Sequence, residues 1–142
     1  KGDPYVIEYN VRLGDPESEV IIPRIKSDIF DLLEGVAEGN LSERDLKISD
    51  DFVTTVMLVS GGYPGSYEKG QEIRGLDKAD GCVVFHAGTK FSNAKVVTSG
   101  GRVLAVTARG ATMEDALRES YKNAKSISFE KIYYRTDIGF DL

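Results

Sequence analysis

Glu8, Asn10 and Arg12 alternate with Tyr5, Ile7, Tyr9 and Val11 near the start of the chain. That two-residue period predicts a strand over 5–12, with the polar side chains on one face at steps of roughly 7 Å. A carboxylate and an amide supply hard oxygen donors, which suit Mg2+ or Mn2+. Mg2+ keeps several waters and takes one or two protein carboxylates, with substrate phosphates completing its shell. Glu8 and Asn10 therefore read as part of a nucleotide-dependent metal site. Arg12 stands where a guanidinium can grip a phosphate or a developing anion by bidentate donation. An ordinary solvated strand face fits the same residues, because E-x-N-x-R is short and common.

The elements that must hold these residues follow directly. Leu13-Gly14-Asp15-Pro16 ends the strand by turn chemistry. Asp15 is the expected N-cap of a short helix whose first turn holds Pro16 and Glu17 and which cannot run through Pro23. Exposed N–H groups at Gly14, Asp15 and Glu17 suit a substrate anion; equally, Asp15 caps the helix and Glu17 offsets its dipole. A second helix is expected over 26–38, from the stripe Ile25, Ile29, Leu32, Leu33 and Val36. Ser27 or Asp28 can cap it and Gly39-Asn40 can stop it.

Residues 41–51 are polar and suggest a domain boundary, giving domains 1–48 and 49–142. Strands are expected over 53–60, 72–74, 82–86, 95–98, 102–107 and 129–134, with Gly100-Gly101 as a hairpin turn. Thr112 should open a helix with Asp115 three residues on, burying Ala116, Leu117, Tyr121 and Ala124. This is an α+β pattern. A lone strand at 5–12 cannot bury its apolar face, so its pairing partner must come from elsewhere. Its open edge also invites a second chain.

The loop over 61–70 is rich in Gly and Tyr and does not match G-x-x-x-x-G-K-[ST]. Tyr63 or Tyr67 can line a cleft, or the two rings can simply pack in a turn. Lys69 and Arg74 are candidate phosphate contacts or solvated charges. His86 reads as a strand histidine with a satisfied hydrogen bond, and Arg135 and Asp137 as a pair. Cys82, the single cysteine, reads as a small apolar residue and fits a reducing cytoplasm. With one His as well, the usual Zn ligand sets are excluded. A net charge of −5 disfavours nucleic-acid binding, and no apolar run is long enough to span a bilayer. The opening at Lys1-Gly2-Asp3-Pro4 lacks a Met and a secretory leader, which suits processing or a piece of a longer chain.

Arg12-Leu13-Gly14-Asp15-Pro16-Glu17-Ser18-Glu19 resembles the R-[FL]-G-D-P-E-x-[EQ] signature of glycinamide ribonucleotide synthetases. The resemblance continues through Pro23-Arg24-Ile25-Lys26-Ser27-Asp28, through Ser60-Gly61-Gly62-Tyr63-Pro64-Gly65-Ser66-Tyr67-Glu68-Lys69-Gly70, through Phe85-His86-Ala87-Gly88-Thr89-Lys90 and through Gly100-Gly101-Arg102-Val103-Leu104. It ends at Tyr134-Arg135-Thr136-Asp137-Ile138-Gly139. It covers essentially the whole chain but only the final part of the family's usual length.

The resemblance implies a fold and an activity. The fold would be the end of an ATP-grasp domain (one strand, two helices), then an antiparallel barrel-sandwich-like domain of the rudiment single hybrid type with one helix. The activity would be ATP-dependent ligation of phosphoribosylamine to glycine through glycyl phosphate, in purine synthesis. Glu8 and Asn10 would be the Mg2+ or Mn2+ ligands and Arg12 the catalytic arginine. Gly14, Asp15, Glu17, Tyr63 and Lys69 would bind substrate. The adenine pocket and the phosphate-binding lysines would precede Lys1, so the chain alone is expected to be inactive.

Two rivals stand beside this reading. One is a stand-alone module that binds a small ligand or partner. The other is a carboxylase of the purine or biotin type, which shares E-x-N-x-R but lacks the Gly-Asp-Pro-Glu run.

Overall fold

The run from Val103 to Ala108 is buried along its whole length. Each Val or Leu so buried contributes about 1.5–3 kcal/mol relative to exposure. In the computed structural model, which describes residues 2–140, this run is the spine of the molecule. Lys1 and residues 141–142, the outer ends of the two expected domains, lie outside the described residues.

The run belongs to β5 (Arg102–Gly110), which pairs antiparallel with β1 (Phe52–Ser60). Phe52 faces Gly110 and Leu58 faces Leu104. Beyond Leu58 the register shifts, so that Val59 faces Arg102 and Val103 is the extra residue of a bulge. The other edge of β5 carries β2 (Cys82–His86), and that of β1 carries β6 (Ile132–Tyr133), for a strand order β2-β5-β1-β6. A second, two-stranded sheet pairs β3 (Thr89–Ser92) with β4 (Lys95–Thr98). The molecule is thus a mixed α and β fold with antiparallel sheets.

The hairpin expected around Gly100-Gly101 is corrected. β4 turns back on β3 through Asn93-Ala94, both with positive φ, which suits the twist of a two-residue hairpin turn. The Gly-Gly step instead carries the chain between sheets, with Ser99 and Gly100 N–H both donating to Gly88 O at 2.7 and 3.1 Å. Two other strand expectations shrink. Residues 72–74 form isolated bridges, Glu72 with Val97 and Arg74 with Ser128, and the last strand is reduced to Ile132–Tyr133.

Helix α3 (Met113–Ser126) opens as expected, Thr112 Oγ1 accepting from Asp115 N–H at 3.1 Å. Its buried face is Ala116, Ser120, Asn123 and Ala124, while Leu117 and Tyr121 are half-buried. Small residues let the helix sit close to the sheet, and the two polar ones are satisfied. Ser120 Oγ and Thr54 Oγ1 are 2.8 Å apart, and Asn123 exchanges hydrogen bonds with the Asp80 backbone at 2.9 and 3.0 Å.

Before β1 lie α1 (Ser18–Ile21), a 3-10 turn over Ile22–Arg24, and α2 (Ile29–Glu38). Asp28 caps α2 by accepting from Phe30 N–H at 2.8 Å, and Gly39 ends it in the left-handed region. The helix starts later than the stripe suggests because Ser27 is engaged elsewhere, donating to Asp45 O and accepting from Lys47 N–H.

The strand expected over 5–12 is not formed. The segment carries no regular structure, and Ile7 and Val11 are 95% and 98% exposed. A strand takes its hydrogen bonds from a neighbour, and none of the described residues provides one. We refer to residues 2–14 as the arm.

Candidate functional site

Glu8, Asn10 and Arg12 are all exposed on the arm. Asn10 Nδ2 donates to Glu8 Oε1 at 3.0 Å, so the two side-chain heads meet on one side of the backbone. A half-turn of the amide would bring its oxygen beside the carboxylate, and a pair of adjacent hard oxygens fits a divalent ion that keeps most of its own waters. No group of three or more His, Cys, Asp or Glu able to hold a metal occurs among the described residues. The Arg12 guanidinium donates to Leu13 O at 2.9 Å.

The turn that follows is closed by Ser18, whose N–H and hydroxyl both donate to Gly14 O, at 3.0 and 2.6 Å. Glu19 N–H goes to Pro16 O, and Val20 and Ile21 N–H go to Glu17 O. Asp15 does not cap α1, which corrects that expectation. The residue in the cap position is Glu17, and it makes no side-chain cap bond. The carboxylate of Glu17 lies against Gly14, where an added Cβ would come within 1.5 Å of Glu17 Oε2. Asp15 turns instead to the start of β5. Arg102 donates from Nη1 to Asp15 O at 2.9 Å and from Nη2 to Asp15 Oδ2 at 3.0 Å.

Arg102 and Tyr63 share a cavity of about 280 Å3 with Pro16, Met57, Val59 and Tyr133. Tyr63 lies over Gly101, whose missing Cβ would come within 2.1 Å of the ring's Cδ2. The structure thus brings Asp15, Tyr63 and Arg102 to one place. Lys69 stands apart from them in its contacts: its Nζ is 5.8 Å from the centre of the Tyr67 ring. Tyr63 and Tyr67 pack edge to face with centroids 6.1 Å apart. Arg102 was not singled out as a site residue from sequence. The signal was present in Gly100-Gly101-Arg102, but a role for it needed the tertiary contact to Asp15.

The remaining candidates have ordinary partners. His86 Nδ1 lies 2.9 Å from Thr89 Oγ1, and Arg135 forks onto both carboxylate oxygens of Asp137 at 2.9 and 3.0 Å. Arg135 holds the Asp137 carboxyl below the usual carboxylate range. Glu72 is held down by hydrogen bonds from Lys95 and Arg74. Burial pushes the Cys82 thiol up, helped by Asp80 and Glu119, which keeps it protonated and poorly nucleophilic at neutral pH.

The fold is that of one part of a larger ligase, by its likeness to a solved structure. It superposes on the crystal structure of a phosphoribosylamine–glycine ligase from Thermotoga maritima with a TM-score of 0.78 and 40% identity, over 96% of this chain and 34% of that one. Residues 53–141 match the family model described as phosphoribosylglycinamide synthetase, C domain, and the chain belongs to that family. A phosphoribosylamine–glycine ligase from Caldanaerobacter subterraneus is 45% identical over 98% of this chain and 33% of its own length. A trifunctional purine biosynthetic protein, adenosine-3, from Homo sapiens is 46% identical over 99% of this chain and 14% of its own. The chain spans about a third of the length of the single-function relatives it matches.

Proposed function

We propose that this chain forms part of a phosphoribosylamine–glycine ligase acting in purine synthesis in the cytoplasm. The observation that carries the reading is the 45% identity, over 98% of this chain, to a protein of that name. In the reaction a glycine carboxylate oxygen attacks the γ-phosphorus of ATP, and the bond to the departing ADP breaks. The amine of phosphoribosylamine then attacks the carbonyl carbon of glycyl phosphate. Phosphate leaves, the amine gives up a proton, and glycinamide ribonucleotide results.

In this reading residues 1–48 complete an ATP-grasp domain and residues 49–142 form a barrel-sandwich-like domain beside it. Glu8 and Asn10 hold the divalent ion, Mg2+ or Mn2+, which when bound neutralises charge on the nucleotide phosphates. Arg12 faces the transferring phosphoryl group and stabilises charge spread over its oxygens. Gly14, Asp15 and Glu17 shape the turn beside the substrates, and Tyr63 and Lys69 border them from the loop after β1. Two features support the assignment of the arm. Its polar residues are uncommitted to the core, and its apolar ones, with Phe30 and Leu33 of α2, are exposed as if awaiting cover.

The test is ligation by a full-length enzyme that includes this sequence, with Glu8, Asn10 and Arg12 replaced together by Ala. Loss of product formation with an unchanged melting temperature is expected. Normal ligation would instead favour a binding module in which the arm has no chemical part.

A further inference from the structure

We propose that Arg102 is a positioning residue, fixing the turn that aims Glu8, Asn10 and Arg12 from the buried central strand β5. The inference rests on the ligase reading above and adds a residue to which that reading gives no role.

The arm has little of its own to hold it. Its side-chain hydrogen bonds among the described residues are local, from Asn10 to Glu8 and from Arg12 to Leu13 O. The segment is first fastened to the body at Asp15, three residues after Arg12. Arg102 supplies that fastening at two points, one to the backbone carbonyl and one to the carboxylate. A forked contact of this kind sets direction as well as distance. It therefore fixes the rotation of the turn from which the arm departs.

Arg102 is itself built to be fixed. The bulge at Val103 shifts it out of the register that the rest of β5 keeps with β1, which re-aims its side chain. Its carbonyl accepts from Gly88 N–H at 2.8 Å. Immediately before it, Ser60 N–H donates to Gly101 O at 2.8 Å and the Ser60 hydroxyl to Gly100 O at 2.9 Å. The Tyr63 ring occupies the space above Gly101 that any side chain would need. At the far end of β5, Arg109 donates to Pro23 O, so both ends of one strand grip the segment that runs from the arm to α2.

The ion pair is a poor candidate for a merely stabilising role. The side chains of Arg102 and Asp15 are 37% and 49% exposed, and pairs this open to water add little to stability. Small displacements, by contrast, weigh heavily on phosphoryl transfer, where positioning supplies much of the rate.

In the full-length ligase, Arg102→Ala is expected to lower kcat roughly 10- to 100-fold, the KM for ATP changing far less. The melting temperature should move by no more than about 3 °C. Arg102→Lys, which keeps a charged donor but not the fork, should recover part of the loss. A direct readout on this chain is the heteronuclear NOE of the Gly14 amide, which should fall in Arg102→Ala while that of Ala124 stays high. A kcat within about twofold of wild type, or an unchanged Gly14 NOE, would overturn the proposal. Arg12→Ala run alongside separates the two readings. If that variant ligates normally, the reading of the arm itself fails. If it is inactive while Arg102→Ala is not, only the role of Arg102 fails.

Discussion

Arg12 and Glu72 show two uses of charge in this molecule. The Arg12 guanidinium is exposed and rests on the neighbouring Leu13 carbonyl, a contact that in the proposed reading it gives up to a phosphate. Replacing one preorganised donor at a transferring group typically removes roughly 3–4 kcal/mol of transition-state stabilisation. Arg12→Ala in the full-length ligase should accordingly reduce kcat roughly 10²- to 10³-fold, as steady-state kinetics would show. Glu72 is structural. Hydrogen bonds from Lys95 and Arg74 lower its pKa from the ordinary 4.5, so its ionised form is favoured in the folded state. Its contribution is complete above that ordinary value and disappears as the pH falls through the lowered one. Urea midpoints of wild type and Glu72→Gln should therefore differ at pH 7 and draw together as the pH falls through the lowered pKa. Cys82 is the neutral counterpart. With its thiol pushed up by burial, alkylation by iodoacetamide at pH 7 should be far slower in the folded chain than after unfolding.

At the level of elements, helix α3 closes the main sheet, and its cap is a specific point of weakness. Thr112→Ala removes the acceptor for Asp115 N–H and should lower unfolding free energy by about 1 kcal/mol in urea titration. This helix was legible in sequence because its cap and its 3.6-residue stripe are local signals. So were α2, with Asp28 and Gly39 at its ends, and the long β-branched strand β1. The arm was misread as a strand because alternation records which side chains share a face, and says nothing about whether a neighbour is present to pair. The Gly100-Gly101 step was misread because two adjacent glycines permit a hairpin without requiring one. The actual turn at Asn93-Ala94 lies between strands of only four residues each, too short for a clear period. The Asp15–Arg102 contact joins residues far apart in sequence, which spacing rules cannot reveal.

At the scale of the whole molecule, two faces differ sharply. Around α3 and β5 the core is closed, and its buried polar groups Ser120, Asn123 and Thr107 are hydrogen-bonded. Along α2, by contrast, Ile21, Ile29, Leu32, Leu33 and Leu46 line an open apolar groove of about 340 Å3. A chain so arranged, spanning a third of its relatives' length, is expected to supply one wall of a site and not the whole of it. Incubated alone with Mg-ATP, glycine and phosphoribosylamine, it should form no glycinamide ribonucleotide. Product accumulating at a rate proportional to chain concentration would show that the other walls are dispensable. No helix among the described residues is long and apolar enough to cross a membrane.

In the proposed reading, Glu8 would contribute an oxygen to a divalent ion carried with the nucleotide. A titration of free Mg2+ at fixed ATP, comparing wild-type full-length ligase with Glu8→Gln, addresses it most directly. The half-saturating Mg2+ concentration should rise roughly tenfold or more in the variant, together with a lower kcat. Superimposable titration curves, with equal kcat, would contradict it.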